Sequence, residues 1–170
     1  FTANQNVTFN QVYKRGKSTD DSDTAVNKLI YMTDIETEAF GVYDGDKIAA
    51  IVKSNEDADA LLKETMDKLS TPDEGMELVS SKFTNELSIQ PVNVLLTSVQ
   101  SNAEAGRMMT EGGELRIDHI VEENETIESI ASKFGVDLMN IYDEENNEIL
   151  TEVEQGDKVS IRTEVEPVSI

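Results

Sequence analysis

The sequence predicts an α+β protein in two small units, strand-strand-helix-strand-helix followed by strand-helix-helix-strand. Three observations lead there. Apolar residues recur in strand-like runs and in helical stripes at i, i+3 and i+4. Gly and Pro punctuate the chain where one period gives way to the other. The 170 residues, 38% of them hydrophobic, hold one medium domain or two small ones.

Residues 1–37 are polar, with the acidic run Ser18-Thr19-Asp20-Asp21-Ser22-Asp23, and read as loop or linker. Only Val26, Leu29, Ile30 and Met32 suggest a short ordered segment, helix or strand. The first unit spans 38–113. Ala39–Tyr43 and Ile48–Val52 are strand-forming runs joined by Asp44-Gly45-Asp46-Lys47, whose Asp-Gly marks a tight hairpin turn. A helix follows: Ser54 or Asn55 caps it, and Ala58, Leu61, Leu62, Met66 and Leu69 form its apolar stripe. Pro72 and Gly75 end it. Phe83, Leu87 and Ile89, then Val92 and Val94, read as two strand segments; Pro91, which donates no ladder hydrogen bond, puts one of them at a sheet edge. Ser101 with Glu104 has the spacing of a capping box for a short helix through Met109.

The second unit spans 114–163. Leu115–Val121 is a strand. Thr126 caps a helix carrying Ile127, Ile130, Ala131 and Phe134 on one face, and Gly135 stops it. A second short helix is expected from Asp137, using Leu138, Ile141 and Tyr142. Val159 and Ile161 belong to a closing strand after Gln155-Gly156-Asp157, and 164–170, with Pro167, read as a linker.

These elements carry a resemblance. His119-Ile120-Val121, Asn124-Glu125-Thr126-Ile127, Ile130-Ala131-Ser132-Lys133-Phe134-Gly135-Val136 and Gly156-Asp157-Lys158-Val159-Ser160-Ile161 follow one another as the motifs of the LysM family do. About 119–161 therefore resembles a LysM domain, a βααβ module that binds N-acetylglucosamine polymers such as peptidoglycan. The resemblance implies a glycan groove between the first strand-helix turn and the loop before the last strand. Its residues here are Asn124, Glu125, Thr126 and Ile127 on one side and Asn146, Asn147, Glu148 and Ile149 on the other. Backbone N–H and C=O groups would hold an N-acetyl group, with Ile127 and Ile149 touching its methyl. The family's Gly-Asp-Thr turn has become Asn124-Glu125-Thr126, Glu128 stands where many members carry a bulky residue, and the opposite loop is unusually acidic.

The first unit is similar to the N-terminal region of wall-anchored proteins of Gram-positive Firmicutes. The similarity rests on Val42–Ile48, Ile51-Val52-Lys53, the acidic helix, Phe83–Ile89, and Val92 with Val94. In such chains a LysM module follows, often with a further β module and a zinc-dependent peptidoglycan endopeptidase. Phe1 in place of an initiator Met reads as a trimmed or processed piece.

Composition narrows the functions further. With 35 acidic against 14 basic residues the formal net charge is -21, which repels phosphate backbones and anionic headgroups and argues against nucleic acid or direct membrane binding. From 116 to 170, 15 acidic and 4 basic residues leave -11. Cysteine is absent and His119 is the one histidine, so no zinc-hydrolase ligand set is present. His119 reads as a strand side chain at a sheet end, or as a pH-sensitive contact. Carboxylate pairs arise everywhere by chance in such a chain and do not mark a glycosidase. Asp44-Gly45-Asp46, Asp20-Asp21 with Asp23, and Asp143-Glu144-Glu145 do not follow the calcium-binding EF-hand loop: Asn55 stands where its bidentate Glu would fall. The sequons at Asn6 and Asn124 carry no weight in the bacterial chain that the resemblance implies.

The expectation is a non-catalytic, cofactor-free module that is extracellular and cell-wall associated. It would bind peptidoglycan or N-acetylglucosamine oligomers and target a wall protein, in particular a hydrolase. The alternative is a protein-interaction or assembly piece of a surface or sporulation complex, whose LysM-like fold has lost glycan binding.

Overall fold

A computed structural model describes residues 2–3, 33–72, 74, 77, 79–145 and 147–170. The early segment around Val26–Met32 and the sequon at Asn6 lie outside them. The described residues form a mixed α/β fold with two antiparallel sheets and three α-helices.

In the first sheet, β1 (Thr2–Ala3) and β3 (Lys47–Val52) pair with β2 (Ile35–Asp44), and β4 (Leu87–Leu95) runs antiparallel along β2 from Glu36 to Asp44. Strand β2 thus begins at Ile35, ahead of the boundary at 38 read from sequence. Gly45 and Asp46 make the β2–β3 turn, with Gly45 at φ 62. The two strand segments expected across Pro91 are one strand. Pro91 sits opposite Phe40 inside β4, tolerated because among the described strands β4 pairs only with β2 and its other edge needs no ladder donor there. Along β4 the odd positions Leu87 and Ile89 face one side and the even positions Val92 and Val94 the other, as a period of two requires.

Helices α1 (Asn55–Leu69) and α2 (Asn102–Glu111) cover one face of this sheet. Ser54 caps α1 by accepting from the Asp57 N–H, and the Ser101–Glu104 capping box opens α2. Their buried Ala58, Leu61, Ala105 and Met109 pack on Val42, Ala50 and Val52. The opposite face carries Ala39, Tyr43, Ala49, Ile51, Val92 and Val94 into a second core.

That second core is closed by the remaining elements: β5 (Gly113–Ile120), α3 (Ile127–Phe134), β6 (Ile141–Asp143) and β7 (Lys158–Val165). The second sheet has the order β5-β7-β6. Leu115, Ile117, Ile127, Ile130, Phe134, Ile141, Val159 and Ile161 join the same cluster as the first sheet's residues. One continuous core therefore holds both units, with the first sheet sandwiched between α1/α2 and the second sheet.

Two further stretches differ from the sequence reading. The second helix is a single 3₁₀ turn, Leu138–Asn140, followed by β6. Ile141 is fully buried while Leu138 is 45% exposed, so the two share no face of the kind an amphipathic helix needs, and the local period is that of a strand. The stretch 164–170, read as a linker, continues β7 to Val165 and then returns to the first unit. Val168 donates its N–H to the Met109 carbonyl (2.8 Å) and buries its side chain beside α1 and α2; Thr84 N–H donates to the Ser169 carbonyl (2.8 Å).

Candidate functional site

The two sheets meet where the outer edge of β4 faces the outer edge of β5. Side chains there do what ladder hydrogen bonds do inside a sheet. Ser98, just past β4, accepts the Asp118 N–H (2.7 Å) and donates to the Asp118 carbonyl (3.3 Å). Asn93 donates through Nδ2 to Glu122 Oε1 (2.8 Å). Tyr43 donates its hydroxyl to the Lys133 carbonyl in α3 (2.8 Å); burial of this ring pushes its pKa up to about 12.

At the centre of this seam lies His119. Alternation along β5 turns Leu115, Ile117 and His119 inward, and the imidazole is 1% exposed. Its Nδ1 is 3.0 Å from the Asn93 carbonyl oxygen, its Nε2 2.6 Å from Glu125 Oε2, and its ring meets Phe134 edge-on at 5.6 Å. Glu125 Oε2 also accepts the Glu122 N–H (2.8 Å), and Oε1 accepts from Lys133 Nζ (3.1 Å). Burial raises the Glu125 carboxyl, but the Glu122 N–H, His119 and Lys133 outweigh it and hold the group below its ordinary value.

The predicted glycan residues fall as follows. Asn124 is exposed and stands at φ 64, in the left-handed region. Thr126 is the N-cap of α3, in a reciprocal box with Ser129. Glu125 has both oxygens engaged inside the protein, and Ile127 is only 5% exposed, so neither side chain is offered to a ligand. Asn146 lies outside the described residues. Asn147, at φ 60, Glu148 and Ile149 are exposed. They fold back on β6 through the Asp143 N–H to the Glu148 carbonyl (2.8 Å) and the Leu150 N–H to the Ile141 carbonyl (2.9 Å).

Because β5 and β6 both run antiparallel to β7, both loops leave the same end of the sheet. The ladder order nevertheless sets Ile149 three strand spacings from β5, roughly 14 Å. The part of the opposite loop that meets the first turn is Gly156 and Asp157: the Val121 N–H donates to the Asp157 carbonyl and the Gly156 N–H donates to the Val121 carbonyl, each at 2.9 Å. Sequence reading did not select these two as contacts, although Gly-Asp before a closing strand is a turn signal that pointed there.

Beside this end, a cleft of about 320 Å³ lies between the units, lined by Asp34, Leu95, Arg116, Asp118, Glu144 and Lys158 among others. Lys158 Nζ pairs with Asp34 (2.9 Å) and Glu144 (3.2 Å), and Arg116 with Asp118 (3.1 Å) and Glu144 (3.8 Å). Burial pulls the Lys158 ammonium down, but Asp34 and Glu144 outweigh it and hold it above its ordinary value. The charges satisfy one another. Among the described residues no group of three or more His, Asp or Glu side chains could hold a metal ion, and no helix is long and apolar enough to cross a membrane.

No family model, curated protein or solved structure matches the chain.

Proposed function

We propose that the chain is a non-catalytic, LysM-like glycan-binding piece of an extracellular, cell-wall-associated protein, with N-acetylglucosamine polymers such as peptidoglycan as its ligand. The observation that carries this reading is the β5–α3 turn. Asn124 takes the left-handed conformation that the Gly of Gly-Asp-Thr would supply, Asn being one of the few other residues to adopt it readily. Thr126 then caps the helix as the resemblance expects. The exposed Glu123 and Asn124 of this turn, with the exposed Asn147 and half-exposed Ile149 at the same sheet end, form the surface that would contact the N-acetyl groups of the polymer. Such contacts are individually weak, so a long polymer would bind through avidity. Sedimentation with purified sacculi tests the reading: the chain should pellet with them, and failure to do so, together with no response to N-acetylglucosamine oligomers at millimolar concentration, rejects it.

One observation favours a second reading, a protein-interaction piece. Glu125 is committed internally and Ile127 is buried, while Leu138 (45%), Met139 (69%) and Ile149 (51%) are exposed on an acidic unit. An acidic, partly apolar surface suits a basic protein partner. Salt-sensitive capture of one such partner by a chain that ignores glycans would favour it.

A further inference from the structure

We propose that His119 is a pH-operated clasp between the two sheets: as an imidazolium it ties β4 to the β5–α3 turn, and on losing its proton it loosens that seam.

Donor counting carries the argument. Both ring nitrogens face groups that only accept. Nδ1 is opposite the Asn93 main-chain carbonyl and Nε2 opposite a Glu125 carboxylate oxygen. A neutral imidazole has one N–H and one lone pair, so it satisfies one of the two and sets a lone pair against the other; the imidazolium satisfies both. A protonated Glu125 does not resolve the conflict. Its Oε2 already accepts the Glu122 N–H and its Oε1 the Lys133 ammonium, which are the bonds of a carboxylate. The short Nε2···Oε2 separation is that of a charge-assisted pair.

The surroundings agree. From β4 the ring meets the Asn93 carbonyl; from the β5–α3 turn, Glu125, with Glu122 behind it; from α3, the Phe134 edge and Lys133. From β7 it has Val159 as its cross-strand partner. Two carboxylates and one ammonium lie in this set, and a protonated His119 brings it to neutrality. With 1% exposure, no water replaces a lost partner. The seam holds few direct bonds, so losing one is felt in the neighbours: Asp118 N–H on Ser98 Oγ and Glu122 N–H on Glu125.

Because the chain has one histidine, its ring ¹⁵N signals are unambiguous. They are followed together with amide exchange in a pH titration up to the alkaline limit of the folded state. The expected result is two protonated ring nitrogens while the seam is closed and one after a single proton is lost. In step with that loss, exchange at Asp118 and Glu122 accelerates about tenfold beyond the intrinsic pH effect, the equivalent of one hydrogen bond. His119→Gln shows no such pH-linked step. Glu125→Gln, which replaces the charged acceptor by a neutral one, moves the step to lower pH. A ring that keeps one protonation state throughout, or a titration that leaves both amides unchanged, overturns the proposal.

Discussion

Gly135, which ends α3, lies directly against the main chain of Asp46 in the β2–β3 turn: a Cβ at position 135 would overlap the Asp46 carbonyl. The residue answers two demands at once, a left-handed backbone (φ 61) and a close approach between the two units. Gly45, the residue immediately before Asp46 in the same turn, has a nearly identical φ of 62 but open space around it.

The pair separates conformational cost from packing cost. Gly45→Ala should lose about 1 kcal/mol, the penalty for an L residue in the left-handed region. Gly135→Ala adds a clash with backbone that cannot move aside, and should lose about 3 kcal/mol or more. Urea denaturation of both variants checks this; equal losses would mean that α3 does not rest on the hairpin.

Tyr43 makes a second joint, through its hydroxyl to the Lys133 carbonyl. Tyr43→Phe should cost about 1 kcal/mol, because a part-buried carbonyl loses its donor. The wild-type chain should also lose stability as pH rises from about 10 to about 12. In the folded state the phenol keeps its proton until about 12, whereas the unfolded chain releases it near 10, so the unfolded state is favoured by ionisation in that interval. Melts across this range should show a steeper decline for wild type than for Tyr43→Phe.

Glu125 sets the acid side. Its folded carboxyl lies below the ordinary value, so its contribution is complete above the ordinary glutamate range and disappears as pH falls through the folded value. Glu125→Gln should cost about 2 kcal/mol at neutral pH and should flatten the acid limb of the stability curve. An unchanged acid limb contradicts the assigned bonds.

The 3₁₀ turn and β6 predict a contrast between neighbours. Ile141→Ala should lose about 2–5 kcal/mol, since Ile141 is fully buried in the shared core. Leu138→Ala should stay within about 0.5 kcal/mol. A two-sided loss would restore the amphipathic helix read from sequence.

Much of the local structure is legible in the chain. Ser101 with Glu104 and Thr126 ahead of Ile127 announce α2 and α3 because capping is settled within four residues. Asp44-Gly45 announces its hairpin for the same reason. The stretch around Leu138–Tyr142 is misread because a short apolar run fits helix and strand alike. Val165 and Val168 are missed because Pro167 and the acidic neighbours look like linker, and their partners are remote in sequence, Gly113 in the ladder for Val165 and Met109 and the α1 residues for Val168. The joints between units are illegible for a different reason. His119, Tyr43 and Gly135 each meet a main-chain carbonyl, of Asn93, Lys133 and Asp46, and every residue has one of those. The candidate turn at Asn124–Thr126 could be read as an element, but the inward pull of Glu125 by His119 could not.

The glycan-binding proposal is tested most directly by titrating ¹⁵N-labelled chain with N-acetylglucosamine oligomers and following the backbone amides. The account predicts saturable shifts concentrated at Asn124–Ile127, Asn147–Leu150 and Gly156–Asp157, growing with oligomer length, with α1 and α2 unaffected. Unchanged spectra at millimolar oligomer, or shifts confined to the first unit, would contradict it.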